Sequence, residues 1–368
     1  MPRASSNTLV LKELILTDQM TFKLSTAGTF LSLFLLATLL LPCAYAASDE
    51  QPQCASMPDN SQRLECYDAL NAARLQQSKS IPAAQPVEVP VTVARSYLTR
   101  SWDLDNKDDE LLGEHQTPLK PHHVSYLIAR TTSETNMQPY SPSHAATTLP
   151  AEIDRTELKF QISQKAKVLN PIKMHFLGVT SLRLWGAYTQ QSSWQAFNSG
   201  NSSPFRETIY EPELILTMST GNQSGLKLIN VGYVHQSNGS NTVFSRSWNR
   251  TYVQGGWESD TLSALVQGWW RIPEVDDDNA DIADYYGRAE ITVRWAPLDG
   301  SQLIGLTLRN NLRLDQNRSF MQLDWATPVK LNQSAKLHVQ LTSGYGETLI
   351  DYNFRQTTLG LGVSFRDW

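Results

Sequence analysis

The 368-residue sequence lacks an apolar run able to cross a bilayer as a helix: Phe30–Leu41 covers twelve residues, where a span needs about 20. It lacks a long basic block, and with a formal net charge of −5 it shows nothing of a nucleic-acid binder. The G-x-S-x-G elbow is absent, which argues against an α/β-hydrolase. Cysteine is scarce, at three residues, too few and too widely spaced for a cysteine-ligated metal centre. The mean hydropathy of −0.35 excludes less than it suggests, because a transmembrane barrel hides its apolar residues in alternation.

Alternation is what the chain has. Leu158, Phe160 and Ile162 alternate with Lys159 and Gln161; Ala289, Ile291, Val293 and Trp295 with Arg288, Glu290, Thr292 and Arg294; Leu359, Leu361, Val363 and Phe365 with Gly360, Gly362 and Ser364. Such segments begin near residues 123, 155, 178, 207, 226, 247, 261, 285, 301, 318, 336 and 355. The expected fold is all-β, a twelve-stranded antiparallel transmembrane β-barrel over 123–368. An exported β-sandwich gives a similar pattern, but the loop rhythm favours the barrel. Segments 132–154, 191–206, 273–284 and 345–354 are long, as extracellular loops are, whereas 220–225, 257–260 and Pro297–Gly300 are short, as periplasmic turns are. Two segments break the rhythm: 167–177 is long for a turn and 314–317 short for an outer loop. A final strand ending in Trp368 fits outer-membrane insertion, although Trp368 is out of phase with Phe365. Arg250, Arg271, Arg288, Glu290 and Arg294 read as a packed polar lumen.

Residues 1–46 read as a signal peptide: Lys23 precedes the apolar run, and Ala44-Tyr-Ala46 supplies the small-x-small cleavage pattern. The basic region sits far from the start, so translation is expected to begin at Met20. Cys43 raises lipidation as an alternative, but Pro42 stands where a small residue is wanted. Cleavage leaves Cys54 and Cys66, and an even pair in an exported chain favours a disulfide. Leu64, Ala69, Leu70 and Ala73 suggest a short helix, and the Pro, Gln, Ser and Ala-rich stretch from Gln76 to Val93 reads as a linker. Residues 47–122 are therefore expected to form a small periplasmic extension and linker.

The chemistry is expected at Tyr233-Val-His-Gln-Ser-Asn-Gly-Ser240 and Ser245-Arg-Ser-Trp-Asn-Arg250. Residues at i and i+2 share a face of a strand, so His235 and Ser237 project together with Ile229, Val231 and Tyr233. A serine nucleophile needs a neighbouring imidazole, and the imidazole needs an orienting group. Asn249, on the next strand with the parity of Thr251 and Val253, can supply it.

These two runs, with Ser202-Ser-Pro-Phe-Arg-Glu-Thr-Ile-Tyr-Glu-Pro212 and Gly344-Tyr-Gly-Glu-Thr-Leu-Ile-Asp-Tyr-Asn353, resemble the outer-membrane phospholipase A family over roughly residues 123–368. The resemblance implies a calcium-dependent serine hydrolase, active as a homodimer, in the bacterial outer membrane. It implies hydrolysis of phospholipid acyl esters at the outer leaflet (phospholipase A1 and A2, with lysophospholipase activity) by Ser237, His235 and Asn249. The Gly239 N–H is expected to bind the oxyanion by analogy with the family.

For Ca2+, which has no acidic signature here, the resemblance implies three ligand residues. They are Ser240 through its carbonyl, Ser245 through its carbonyl and hydroxyl, and Ser202 through its hydroxyl across the dimer. Relatives commonly carry Arg where this chain has the uncharged Ser240, so that positive charge is missing here. Glu274 and Asp276 to Asp278 form an acidic outer loop that reads as solvated, with a second calcium as the alternative. Gln190 falls in a segment similar to the family's interface strand. A non-enzymatic porin or scaffold is the competing reading, and a soluble esterase the third. Neither needs both a convergent His, Ser and Asn and apolar outward faces.

Overall fold

The computed structural model describes residues 53–79, 95–108, 118–150, 152–329 and 332–365. The expected signal peptide, Met20, Cys43, most of the linker and Trp368 lie outside the described residues. Two compact units divide the chain, residues 1–91 and 92–368. In the first, helix α1 (Asn60–Lys79) starts where the Asp59 carboxylate accepts the Ser61 and Gln62 N–H groups, at 2.7 and 3.2 Å. A disulfide joins Cys54 to Cys66, whose Cα atoms are 5.6 Å apart.

The second unit begins with helix α2 (Tyr97–Trp102) and the short strand β1 (Lys120–Pro121). Then come β2 (Ser125–Thr132), β3 (Thr156–Lys167), β4 (Ile172–Phe176), β5 (Val179–Trp194), β6 (Phe205–Ser219) and β7 (Gly225–Ser237). β8 (Ser247–Glu258), β9 (Leu262–Ile272), a turn of helix α3 (Ile282–Tyr285), β10 (Ala289–Trp295) and β11 (Leu303–Asn310) follow. β12 (Ser319–Val329), β13 (Asn332–Gly344) and β14 (Gln356–Phe365) complete the sheet. Antiparallel neighbours run in chain order, β3 pairs β5, and β14 pairs β2, so twelve strands close into a barrel with β1 and β4 outside the ring. The long 167–177 segment is explained by β4: β5 outruns β3, and its first residues pair with β4 across Leu177 and Gly178, both at positive φ.

The barrel is inside out relative to a soluble protein. Lys159 and Lys165 are buried while Ile162 on the same strand is 54% exposed. On β14, Leu359 and Leu361 are 58% and 57% exposed. Apolar outward faces suit lipid, and closure leaves no unpaired strand edge in it. Inward charges are paired: Arg130 donates to Glu157 and Glu347, both at 2.5 Å, and Lys159 to Glu347 at 2.7 Å. Arg250, Glu290 and Arg294 line the luminal cavity of about 660 Å³, as expected. Arg271 and Arg288 do not; rim groups capture them, Asp277 for Arg271 and Asp284 with the Asn311 carbonyl for Arg288. Arg288 precedes β10, which starts four residues later than the alternation suggested because α3 and Gly287 intervene.

Residues 95–108 close the end of the barrel opposite Ser237. Leu98 and Trp102 pack on Trp185, Ile215 and Leu228; the Leu98 N–H donates to Glu258 at 2.8 Å; Lys227 donates to Ser96 and Thr99. Arg95 donates to Asp108 at 2.7 Å, and Lys120 pairs with the same carboxylate. Burial by itself would raise the Asp108 pKa, but Lys120 and Arg95 outweigh it and hold the group below its ordinary value.

Candidate active site

On β7 the odd positions face outward. Val231 and Tyr233 are 42% and 44% exposed, whereas Asn230, Val234 and Gln236 are buried. His235 and Ser237 continue the outward row, and β8 brings its own outward row beside it. Register opposes His235 to Asn249 and Ser237 to Ser247. The three residues named from the sequence thus meet on the lipid-facing wall at the end of two paired strands.

His235 Nδ1 lies 3.0 Å from Asn249 Oδ1. The Tyr233 hydroxyl donates to the same oxygen at 2.7 Å, and Asn249 Nδ2 donates to Glu274 Oε1 at 3.0 Å. A carboxylate only accepts, so the amide nitrogen must face Glu274 and the carbonyl must face His235. A neutral His235 in this arrangement carries its proton on Nδ1, and Nε2 is the nitrogen left as an acceptor. Among the described residues the Ser237 hydroxyl has no hydrogen-bond partner. Catalytic hydrogen bonds commonly close only around substrate.

The wall is stiffened from inside by residues that alternate with the outward ones. Gln236 donates to Glu211 and accepts from Trp248 Nε1 and Arg250, at 2.8, 2.8 and 3.0 Å; Arg250 also donates to Glu211 at 2.9 Å. Behind them Ile209, Val234, Trp248, Trp269, Ile282 and Tyr352 form an apolar cluster. The backbone carrying His235, Ser237 and Asn249 is thereby locked through its neighbours.

Asn238 organises the loop between β7 and β8. Its Oδ1 accepts the Arg246 and Ser240 N–H groups at 3.0 and 3.3 Å, and its Nδ2 donates to the Phe244 carbonyl at 2.8 Å. Gly239 has φ +65°, and a Cβ there would stand 3.0 Å from the Tyr210 ring. Its N–H has no partner among the described residues. Ser240 and Ser245 share this loop, whereas Ser202 lies in the loop joining β5 to β6, at left-handed φ 61°. The Ser245 hydroxyl donates to Asp278 at 2.6 Å, and its carbonyl accepts from Arg246 at 2.7 Å. Gln190 faces outward on β5, accepting from the Tyr188 hydroxyl at 3.1 Å.

The acidic outer loop is not simply solvated. Glu274 takes Asn249, Asp277 takes Arg271, and Asp278 meets both Ser245 and His144, at 3.1 Å for the latter. Sequence reasoning grouped these acids by charge alone and missed their separate partners, which depend on how the loop folds back over the strands. Inside the lumen Glu213 accepts from His122 at 2.9 Å and from the Tyr252 hydroxyl at 3.0 Å. His123 stands 3.9 Å from the same carboxylate, completing a set of potential metal donors away from the outer wall.

A closed barrel with apolar outer faces and a hydroxyl, an imidazole and an amide clustered on one of them is, in class, an outer-membrane barrel enzyme. The phospholipase A1 family profile matches residues 98–365. Phospholipase A1 of Escherichia coli strain K12 is 35% identical over 262 residues, covering 70% of this chain and 85% of that protein. A relative from Neisseria meningitidis serogroup B is 32% identical and covers 91% of this chain and 95% of its own length. The outer membrane phospholipase A structure from Escherichia coli aligns with TM-score 0.58 and 34% identity over 70% of this chain and 95% of that one. The Salmonella typhi outer membrane phospholipase, a dimer with bound calcium, aligns with TM-score 0.58 and 32% identity, over 71% and 96%. The chain belongs to the phospholipase A1 family. It is a phospholipase that crosses the outer membrane as a twelve-stranded barrel.

Proposed function

We propose that the chain hydrolyses acyl ester bonds of phospholipids and lysophospholipids reaching it laterally from the outer leaflet, with Ser237 as nucleophile, His235 as base and acid, and Asn249 orienting the imidazole. The observation that carries this reading is the 3.0 Å contact between His235 Nδ1 and Asn249 Oδ1 on the face that also presents Ser237. Ser237 Oγ attacks the ester carbonyl carbon as its proton passes to His235 Nε2. Collapse of the tetrahedral intermediate expels the alcohol, which takes that proton from His235 and leaves acyl-Ser237. Water then attacks the acyl carbon, gives its proton to His235, and the fatty acid departs as Ser237 recovers the proton. The unpartnered Gly239 N–H is the donor suited to the oxyanion.

The oxygen donors present suit calcium, a hard cation that binds hydroxyls, carbonyls and carboxylates. Ser240 and Ser245 would hold it with Ser202 of the partner subunit, and Asp278, beside the Ser245 hydroxyl, would supply a carboxylate. When bound, the ion would supply positive charge to stabilise the developing oxyanion, and this chain has Ser240 where relatives commonly carry an arginine. Gln190, outward on β5, is suited to hydrogen-bond its counterpart in a homodimer. Residues 47–122 are read as a periplasmic extension and linker, of which 95–108 pack on the barrel end, and 1–46 as a cleaved signal.

The test is turnover on defined phospholipid micelles across a calcium titration, beside cross-linking in detergent. Ser237→Ala is expected to abolish hydrolysis and spare the dimer, and Ser202→Ala to weaken dimer and turnover together. Turnover by the purified Ser237→Ala barrel, or full turnover by a calcium-free monomer, would overturn the mechanism.

A further inference from the structure

The orienting amide is itself oriented. An asparagine side chain has two nearly isosteric ends, and only one serves a base: its carbonyl accepts the imidazole Nδ1–H, whereas its NH2 would meet Nδ1 and place the proton on Nε2. The Tyr233 hydroxyl cannot choose between the ends, because it can donate or accept. Glu274 can choose. Its Oε1 accepts from Asn249 Nδ2 at 3.0 Å, and among the described residues it has no cation and no other side-chain partner. The neighbouring acids are committed elsewhere, Asp277 to Arg271 and Asp278 to Ser245 and His144.

We propose that Glu274 is the positioning residue of the site: from the outer loop it fixes the Asn249 amide in the orientation that leaves His235 Nε2 unprotonated, and it polarises the amide carbonyl toward the imidazole. The proposal rests on the triad reading given above. It follows that the base depends on a loop after β9 as well as on β7 and β8, and that a negative charge enters a relay whose third member is neutral. A charge-assisted hydrogen bond polarises the group it binds, and the effect passes along a chain of such bonds.

The experiment is steady-state kinetics of Glu274→Gln and Glu274→Ala, each made in the wild-type chain and in Asn249→Asp, at saturating calcium. With Asn249 present, Glu274→Gln is expected to lower kcat about tenfold with KM little changed, since a glutamine can satisfy either amide orientation. In the Asn249→Asp chain both oxygens accept, orientation no longer matters, and Glu274 faces a like charge. There Glu274→Gln is expected to raise kcat. A merely structural role would lower activity by a similar factor in both backgrounds, and that result, or an unchanged kcat in the wild-type background, overturns the proposal. Recovery of full Glu274→Gln turnover when calcium is raised above the level that saturates the wild type would also overturn it, assigning the carboxylate to the ion. Labelling of Ser237 by a sulfonyl fluoride separates the two readings. An unlabelled wild-type protein overturns the triad and this proposal with it, whereas a labelled one with equal losses in both backgrounds overturns this proposal alone.

Discussion

Arg206 Nη1 donates to Asp351 Oδ2 at 2.5 Å, joining segments 145 residues apart at the barrel end that carries Ser237. The same guanidinium holds Glu157 at 3.1 Å, and the adjacent Glu207 accepts the Ile350 N–H at 2.7 Å. Two of the motifs by which the chain resembles its family therefore build the rim that supports the site, in addition to the proposed calcium ligand Ser202 that one of them carries.

Removing Arg206 leaves two buried carboxylates with fewer cations, and breaking a buried pair from one side costs on the order of 3 kcal/mol. Arg206→Met is expected to lower the temperature at which the folded band is lost on a semi-native gel. An unchanged midpoint would show that Arg130 alone satisfies Glu157.

His235→Ala removes the base and is expected to cost at least about 10³ in kcat, whereas Asn249→Ala, whose place water can partly fill, is expected to cost on the order of 10 to 10². Single-turnover assays on folded protein compare the two. Equal losses would give Asn249 a larger part than orientation.

Gly239→Ala puts a methyl group 3.0 Å from the Tyr210 ring at a backbone φ of +65°. The loop must shift, and the N–H with it. A fall in kcat of about 10² to 10³ is expected, the size of losing one oxyanion donor, with the barrel still folded. Wild-type kcat in this variant would remove Gly239 from the mechanism.

Asp108 has a folded pKa held below its ordinary value of 3.8, so its pairing with Lys120 and Arg95 contributes fully above that value and is lost as pH falls through the folded one. Release of residues 95–108 from the barrel end is expected only below about pH 4, read as protease access in detergent. Asp108→Asn should loosen the segment, raising its protease access already at neutral pH, with the Leu98 and Trp102 packing still in place. Identical acid profiles for wild type and variant would detach the segment from this group.

Strand number, strand faces and the His235, Ser237 and Asn249 set were legible because period-two alternation is a local property: parity along β7 and β8 decides which side chains share a wall before any tertiary contact exists. Inner-face polarity was legible for the same reason at Arg250, Glu290 and Arg294, and failed at Arg271 and Arg288, where loops fold onto the rim and capture the charge. The sequence also carried its resemblance in motifs whose work at Arg206, Glu347 and Asp351 is to pair buried charge between distant segments. Those pairings, the seating of residues 95–108 against Trp185 and Leu228, and the reach of Glu274 to Asn249 were decided only by the closed barrel. Each joins residues on different strands or loops, and a hydrogen bond or ion pair across such a separation depends on register, barrel closure and loop path, none of which alternation encodes.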